Sequence, residues 1–205
     1  MLRKSVLLAA AVSCVWAIGG IALAQNTPVR GFISPMGEPF HATFDKPYPS
    51  AIWFAQADTN HDGKLSREEF RADAMRFFKL LDVNGDGKIS DMETIRYEHQ
   101  VAPEIITATV DTSGTQNTLD PDAVGNHNTP LSTIRQGASF FSFLNDPEPV
   151  RSADTDFNNK VSVDEWMAMA DRKFKALDPD DTGYLTLSAL PKTPAELMKP
   201  EKPDN

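Results

Sequence analysis

Asp58-Thr-Asn-His-Asp-Gly-Lys-Leu-Ser-Arg-Glu-Glu69 decides the reading of this chain, and Asp82-Val-Asn-Gly-Asp-Gly-Lys-Ile-Ser-Asp-Met-Glu93 repeats it. Oxygen-bearing side chains fall at positions 1, 3, 5, 9 and 12 of each segment. In the first these are Asp58, Asn60, Asp62, Ser66 and Glu69; in the second they are Asp82, Asn84, Asp86, Ser90 and Glu93. Lys64 and Lys88 stand at position 7, where the donor is the backbone carbonyl. Gly63 and Gly87 stand at position 6, where the chain turns sharply, and Leu65 and Ile89 are the apolar residues of position 8. Alternate oxygens wrapped around a tight turn, closed by a carboxylate able to give both its oxygens, suit a hard cation that takes six to eight oxygen ligands.

Two further segments follow the pattern. From Asp154 to Glu165 the donors are Asp154, Asp156, Asn158, Lys160, Ser162 and Glu165, with Val161 at position 8. Asn159 replaces the turn glycine, and Asn tolerates the left-handed conformation better than most residues. From Asp178 to Ala189 the positions hold Asp178, Asp180, Thr182, Tyr184 and Thr186, with Gly183 and Leu185 in register. Ala189 stands where the closing Glu belongs. Without two oxygens and one negative charge, this fourth loop is expected to be a weak or vestigial metal site.

The four loops form a duplication. Loops 1 and 2 begin 24 residues apart, as do loops 3 and 4, and a shift of 96 positions carries Asp58 onto Asp154. The same shift carries Glu69 onto Glu165, Phe70 onto Trp166, Phe78 onto Phe174 and Leu81 onto Leu177. Ligand and apolar positions repeat together, as an internal repeat requires. Between loops 1 and 2, apolar residues at 70, 74, 77, 78 and 81 follow the period of an amphipathic helix. One helix must therefore leave loop 1 and enter loop 2. Its roughly twelve residues hold those loops ~18 Å apart, too far to pair with each other. If the two shared helices run antiparallel, loop 1 meets loop 4, with Leu65 near Leu185, and loop 2 meets loop 3, with Ile89 near Val161.

The motifs Asp58 to Glu69, Asp82 to Glu93 and Asp154 to Glu165 resemble the EF-hand superfamily, and the whole pattern is similar to small exported EF-hand proteins of proteobacteria. The resemblance implies Ca2+ as ligand and an all-α fold of duplicated helix–loop–helix pairs with short inter-loop strands. The 24-residue spacing is also similar to that of lanmodulin, a lanthanide-binding EF-hand protein. That resemblance implies Pro at position 2 and Asp at position 9, whereas here Pro179 lies in the defective loop and Ser66, Ser90, Ser162 and Thr186 hold position 9. Lanthanide binding stays open as an alternative.

Composition sets the surroundings. The formal charge of −9 repels nucleic acid and anionic lipid, and no Lys/Arg cluster offers a phosphate-binding patch. Arg3 and Lys4, an apolar run from Val6 to Leu23 and Ala22-Leu23-Ala24 read as a signal peptide cleaved before Gln25. An uncleaved anchor is the alternative. After cleavage the chain holds no cysteine, which excludes disulfides and thiol chemistry. The expected location is periplasmic or secreted, without stable membrane association.

The expected organisation is a signal peptide at 1–24, an N-terminal extended segment at 25–49 and an EF-hand pair at 50–103. A flexible linker at 104–131, a second pair at 132–191 and a mobile tail at 192–205 complete it. Phe32, Ile33, Met36 and Phe40 are available to dock the extended segment on the helical core. Ser50 is a candidate N-cap of the helix entering loop 1, Asp91 to Gln100 is expected to leave loop 2, and Ser132 to Leu144 to form a further helix.

His41, His61, His99 and His127 are scattered, without triad or paired-His spacing, and no phosphate loop or nucleophile elbow is present. The expected function is non-catalytic Ca2+ binding that stabilises the fold, with switching of an unidentified protein partner left open. A calcium buffer and an enzyme with an unrecognised site are the remaining alternatives.

Overall fold

The structure is a computed structural model that describes residues 29–106 and 136–197. The expected signal peptide, the expected linker from 107 onward and the expected tail beyond 197 lie outside the described residues.

The chain begins with a hairpin, β1 (Val29–Ile33) and β2 (Pro39–Thr43), paired antiparallel with Phe32 opposite Phe40. α1 (Ser50–Ala57) leads into loop 1, whose positions 8 and 9 form β3 (Leu65–Ser66) and whose last three residues begin the long α2 (Arg67–Leu81). Loop 2 contains β4 (Lys88–Ser90) and runs into α3 (Asp91–Arg96), which a π-helical turn over Tyr97–Val101 follows. In the second half, α4 (Ala138–Phe141) and a 3-10 turn (Arg151–Ala153) precede loop 3. β5 (Lys160–Ser162), α5 (Val163–Leu177), β6 (Tyr184–Leu185) and α6 (Pro194–Leu197) complete the described chain.

α2 and α5 start alike because their sequences start alike. Ser66 and Ser162 are N-caps whose hydroxyls accept from the backbone N–H of Glu69 and Glu165, while each Glu accepts in return from the cap's own N–H. This capping box satisfies two otherwise orphaned donors and fixes the helix start at loop position 9. The same Glu closes the loop, so helix initiation and loop closure share one side chain.

The two shared helices cross antiparallel, and repeat-related residues meet across them. Phe70 packs on Phe174 with ring centroids 5.6 Å apart, and Phe78 packs on Trp166 at 5.9 Å. Trp166 is the counterpart of Phe70 and Phe174 that of Phe78, so the contact is self-complementary, as across the two-fold axis of a dimer. The Trp166 indole N–H donates to the Ala74 carbonyl at 2.8 Å, and Arg71 pairs with Asp171.

Antiparallel crossing brings each loop to its partner in the other half. β3 pairs with β6, placing Leu65 opposite Leu185, and β4 pairs with β5, placing Ile89 opposite Val161. All four position-8 side chains are buried. Both halves thus share one core.

Within the extended segment expected at 25–49, residues 29–43 form a β-hairpin. The fold therefore carries a sheet element beyond the inter-loop strands of an all-α reading. Phe32, Ile33, Met36 and Phe40 do dock in the core, with Phe32 packed on Phe143 at 4.9 Å and Trp53 at 5.9 Å. The hairpin turn is pinned from three sides. Tyr97 donates its hydroxyl to the Gly37 carbonyl at 2.7 Å, Lys173 donates to the Pro35 carbonyl at 2.7 Å, and Arg76 pairs with Glu38. Gly37 has φ +102, and a Cβ there would lie 2.8 Å from the Tyr97 hydroxyl, so the turn needs glycine for both shape and clearance.

Four local expectations change. Pro49, not Ser50, is the N-cap of α1, and no side chain caps it. The helix expected over 132–144 is confined to Ala138–Phe141 within the described residues, because the chain extends at Ser142 to carry Phe143 under Phe32. Of the linker expected at 104–131, Ile105 falls among the described residues and is fully buried. The tail is ordered through Leu197, where Thr193 is buried against the Tyr48 hydroxyl at 2.7 Å.

Candidate metal centres

Each loop is wound around its first residue. In loop 1 the Asp58 carboxylate accepts from the backbone N–H of Asp62 at 3.3 Å and Gly63 at 2.9 Å. Asn60 Oδ1 accepts from Asp62 N–H at 2.9 Å, and Asp62 Oδ1 accepts from Lys64 N–H at 2.8 Å. Loop 2 repeats this bond for bond. Asp82 accepts from Asp86 and Gly87, Asn84 from Asp86, and Asp86 from Lys88. In loop 3, Asp154 accepts from Asn158 and Asn159, Asp156 from Asn158, and Asn158 from Lys160. In these short Asx turns the loop's own backbone N–H groups hold the side-chain oxygens of positions 1, 3 and 5 in place.

The position-12 carboxylates close the loops. Glu69 Oε1 accepts from Asn60 N–H at 3.2 Å and the Thr59 hydroxyl at 3.1 Å, while Oε2 accepts from Ser66 N–H at 3.0 Å. Glu93 bridges Val83 and Asn84 to Ser90, and Glu165 bridges Thr155 to Ser162, in the same way. Hydrogen bonds from the Ser162 backbone hold the Glu165 carboxyl down at about 2; slight burial opposes them, and the Ser162 hydroxyl and Thr155 reinforce them. The Ser66 backbone lowers Glu69 likewise. At Glu93 burial works against ionisation, but bonds from Ser90, Asn84 and Val83 outweigh it.

The donor sets fit a hard cation. In loop 3, Asp154, Asp156 and Glu165 bring carboxylate oxygens within 4.8 Å of one another. In loops 1 and 2 the amide oxygens of Asn60 and Asn84 stand at the position of Asp156. The side chains of positions 1, 3, 5 and 12 with the carbonyls of Lys64, Lys88 and Lys160 would hold the ion, and Ser66, Ser90 and Ser162 stand at position 9 beside them. Bound there, the ion supplies the positive charge that these converging oxygens need.

Backbone shape supports the register. Position 6 is left-handed in all four loops, at Gly63, Gly87, Asn159 and Gly183, so Asn159 adopts the turn with φ +62. Position 4 is left-handed too, at His61, Gly85, Phe157 and Asp181. His61 is exposed, and Phe157 is 86% exposed.

Loop 4 is built differently. Asp178 accepts from Thr182 N–H at 2.9 Å and Gly183 N–H at 2.8 Å, as a position-1 Asp should. Ala189 brings no carboxylate, and its N–H instead donates to the Thr186 carbonyl at 3.0 Å. Asp180, Thr186 and Ala189 line an open pocket with Asp178 and Thr182.

Several supporting residues were not singled out from the sequence. Thr59 and Thr155, at position 2, reach the closing Glu. Arg151 joins loops 2 and 3 by bonding Glu98 at 2.7 Å and Asp91 at 3.1 Å. Thr at position 2 of two loops was a readable signal; Arg151 lay outside any motif.

With this geometry in view, the chain belongs to the EF-hand superfamily, whose loops take Ca2+. The family described as EF hand matches at residues 51–75, 74–96 and 151–170, covering loops 1 to 3. The chain is also similar to "Probable calcium-binding protein CML34" of Arabidopsis thaliana, at 27% identity over 132 residues, spanning 57% of this chain and 92% of that protein.

Proposed function

We propose that this is an exported, non-catalytic calcium-binding protein in which three ions brace a core that its own N-terminal hairpin keeps closed. The observation that carries the reading is the pinned hairpin turn. Tyr97 lies just beyond the helix leaving loop 2, Lys173 lies on the helix leaving loop 3, and both bond the same turn, at Gly37 and Pro35. A calcium sensor opens its helix pairs to expose an apolar groove. Here Phe32, Ile33, Met36 and Phe40 are buried in the same core as the apolar residues of α2 and α5, and the turn between their strands bonds both helices through Arg76 and Lys173, so such opening would also have to break the hairpin's hold.

Ions that bind only the folded chain stabilise it by an amount that grows with the logarithm of one plus the ratio of free ion to dissociation constant. Loops 1, 2 and 3 would each contribute in this way. Serine at position 9 adds no charge, which favours a divalent over a trivalent ion. Export rests on the sequence of residues 1–24 alone. The scattered histidines and the absence of a nucleophilic or phosphate-binding motif support a non-catalytic role.

Calorimetric titration of the chain from Gln25 onward, with a hydrophobic-dye assay beside it, tests the proposal. Three calcium ions, a raised unfolding temperature and no dye response are expected. A strong dye response on calcium addition would favour a sensor and overturn the closed-core reading. Tight lanthanum binding without calcium binding would overturn the choice of ion.

A further inference from the structure

Loop 4, with Ala189 at position 12, joins its position-1 and position-7 oxygens through a side chain of its own. At position 5, loops 1 to 3 place side-chain oxygens that only accept: Asp62, Asp86 and the amide oxygen of Asn158. Loop 4 places the hydroxyl of Thr182. Its Oγ1 lies 2.9 Å from Asp178 Oδ1 and 2.8 Å from the Tyr184 carbonyl. Those two oxygens belong to positions 1 and 7, and in a loaded loop both face the cation. Thr182 puts a proton between them, donated to either one in turn. Arg67, in the first turn of α2, adds a positive charge acting on the Asp178 carboxylate.

The same loop grips loop 1. Leu185 sits opposite Leu65, and the Lys64 ammonium lies over the Tyr184 ring, 4.4 Å from its centroid. Lys64 and Tyr184 are the position-7 residues of their loops. The contact therefore anchors the residue whose carbonyl would serve as a ligand in loop 1.

We propose that loop 4 is an ion-independent brace, held shut by the Thr182 hydroxyl, which sets loop 1 in its binding shape before any ion arrives. This rests on the calcium reading above. Loop 1 then spends little of its binding energy on ordering its partner, and such preorganisation appears as affinity. Loops 2 and 3, each with a full donor set, order one another instead.

The test uses the intact chain in a Glu93→Gln, Glu165→Gln background, so that calorimetry reads loop 1 alone. Thr182→Val removes the hydroxyl at nearly constant shape and should weaken loop 1 about tenfold, equivalent to about 1.4 kcal/mol. Thr182→Ser keeps the hydroxyl and should retain the original affinity. With loops 2 and 3 intact, the pair Thr182→Asp, Ala189→Glu should raise the count from three ions to four. The brace is overturned if Thr182→Val leaves loop 1 within twofold of its original affinity, or if the unmodified loop 4 takes a fourth ion. Absence of calcium binding in every loop of the unmodified chain would instead overturn the calcium reading itself.

Discussion

The Trp166 indole N–H and the Ala74 carbonyl are hydrogen-bonded at 2.8 Å across 92 positions of chain, in the buried crossing of α2 and α5. The bond marks the axial register of the two helices, and that register decides which loops meet. Trp166→Phe keeps an aromatic ring against Phe77 and Phe78 but loses the donor. It should cost about 1 kcal/mol from the bond, with more from lost ring area. Urea unfolding in chelator would show a lowered midpoint with unchanged slope.

The closing glutamates should act one per ion. Glu69→Gln, Glu93→Gln and Glu165→Gln each remove one charge while keeping the side chain's shape. Calorimetry should count two calcium ions in each variant against three in the parent. An unchanged count in Glu69→Gln would show that the register of loop 1 is misplaced.

Proton linkage follows from the same carboxylates. Glu165 titrates at about 2 in the folded chain against 4.5 for the free side chain, and Glu69 and Glu93 are lowered as well. A depressed folded value contributes stability that is present above the unfolded pKa and lost as pH falls through the folded one. In chelator, the urea midpoint should therefore hold from neutral pH to about 5 and fall between about pH 4.5 and 2. A midpoint constant to pH 2 would contradict the bonding described for these groups.

Phe157 sits in the left-handed region with φ +58 while 86% exposed. The same position in loop 2 is Gly85, at φ +71. Because little of the ring is buried, its replacement loses little packing, and Phe157→Asn should stabilise the ion-free protein by about 1 kcal/mol. Thermal unfolding in chelator measures it.

The hairpin turn should be less forgiving. Gly37→Ala sets a Cβ 2.8 Å from the Tyr97 hydroxyl and 3.0 Å from Pro149, at a φ that alanine avoids. A loss of about 2 kcal/mol or more is expected. Dye binding should rise in this variant, since the turn holds Phe32, Ile33, Met36 and Phe40 in the core.

The loops, the shared helices and the crossed pairing of Leu65 with Leu185 and Ile89 with Val161 were legible because each rests on local chemistry at fixed spacing. Ligand order, helical period and helix length together left few arrangements. The hairpin was not legible. Phe32 and Ile33 are adjacent and both buried, which breaks the alternation that marks a strand, and Pro39 opens β2. Its strands exist because α2, the π-helical turn and α5 provide Arg76, Tyr97 and Lys173 to hold the turn, and no local signal reports partners so distant. α4 was overestimated for the same reason: Phe140, Phe141 and Phe143 suit a helix, but tertiary packing draws Phe143 out of it. The self-sufficiency of loop 4 was half legible. Ala189 showed what was missing, while Thr182 reads as a weak ligand until its neighbours are known.

The crossed loop pairs are nested, one inside the other, like matched brackets. The inner contact, Ile89 with Val161, closes a shorter stretch of chain than the outer contact, Leu65 with Leu185. Once the inner one forms, the outer closure is reduced to the two shared helices and their flanking turns, and its entropic cost falls accordingly. Folding then has a natural direction, from the middle of the sequence toward its two ends. The Tyr48 hydroxyl, which bonds the Gly31 carbonyl of β1 and the Thr193 hydroxyl just before α6, ties the two ends of the described chain together outside both closures.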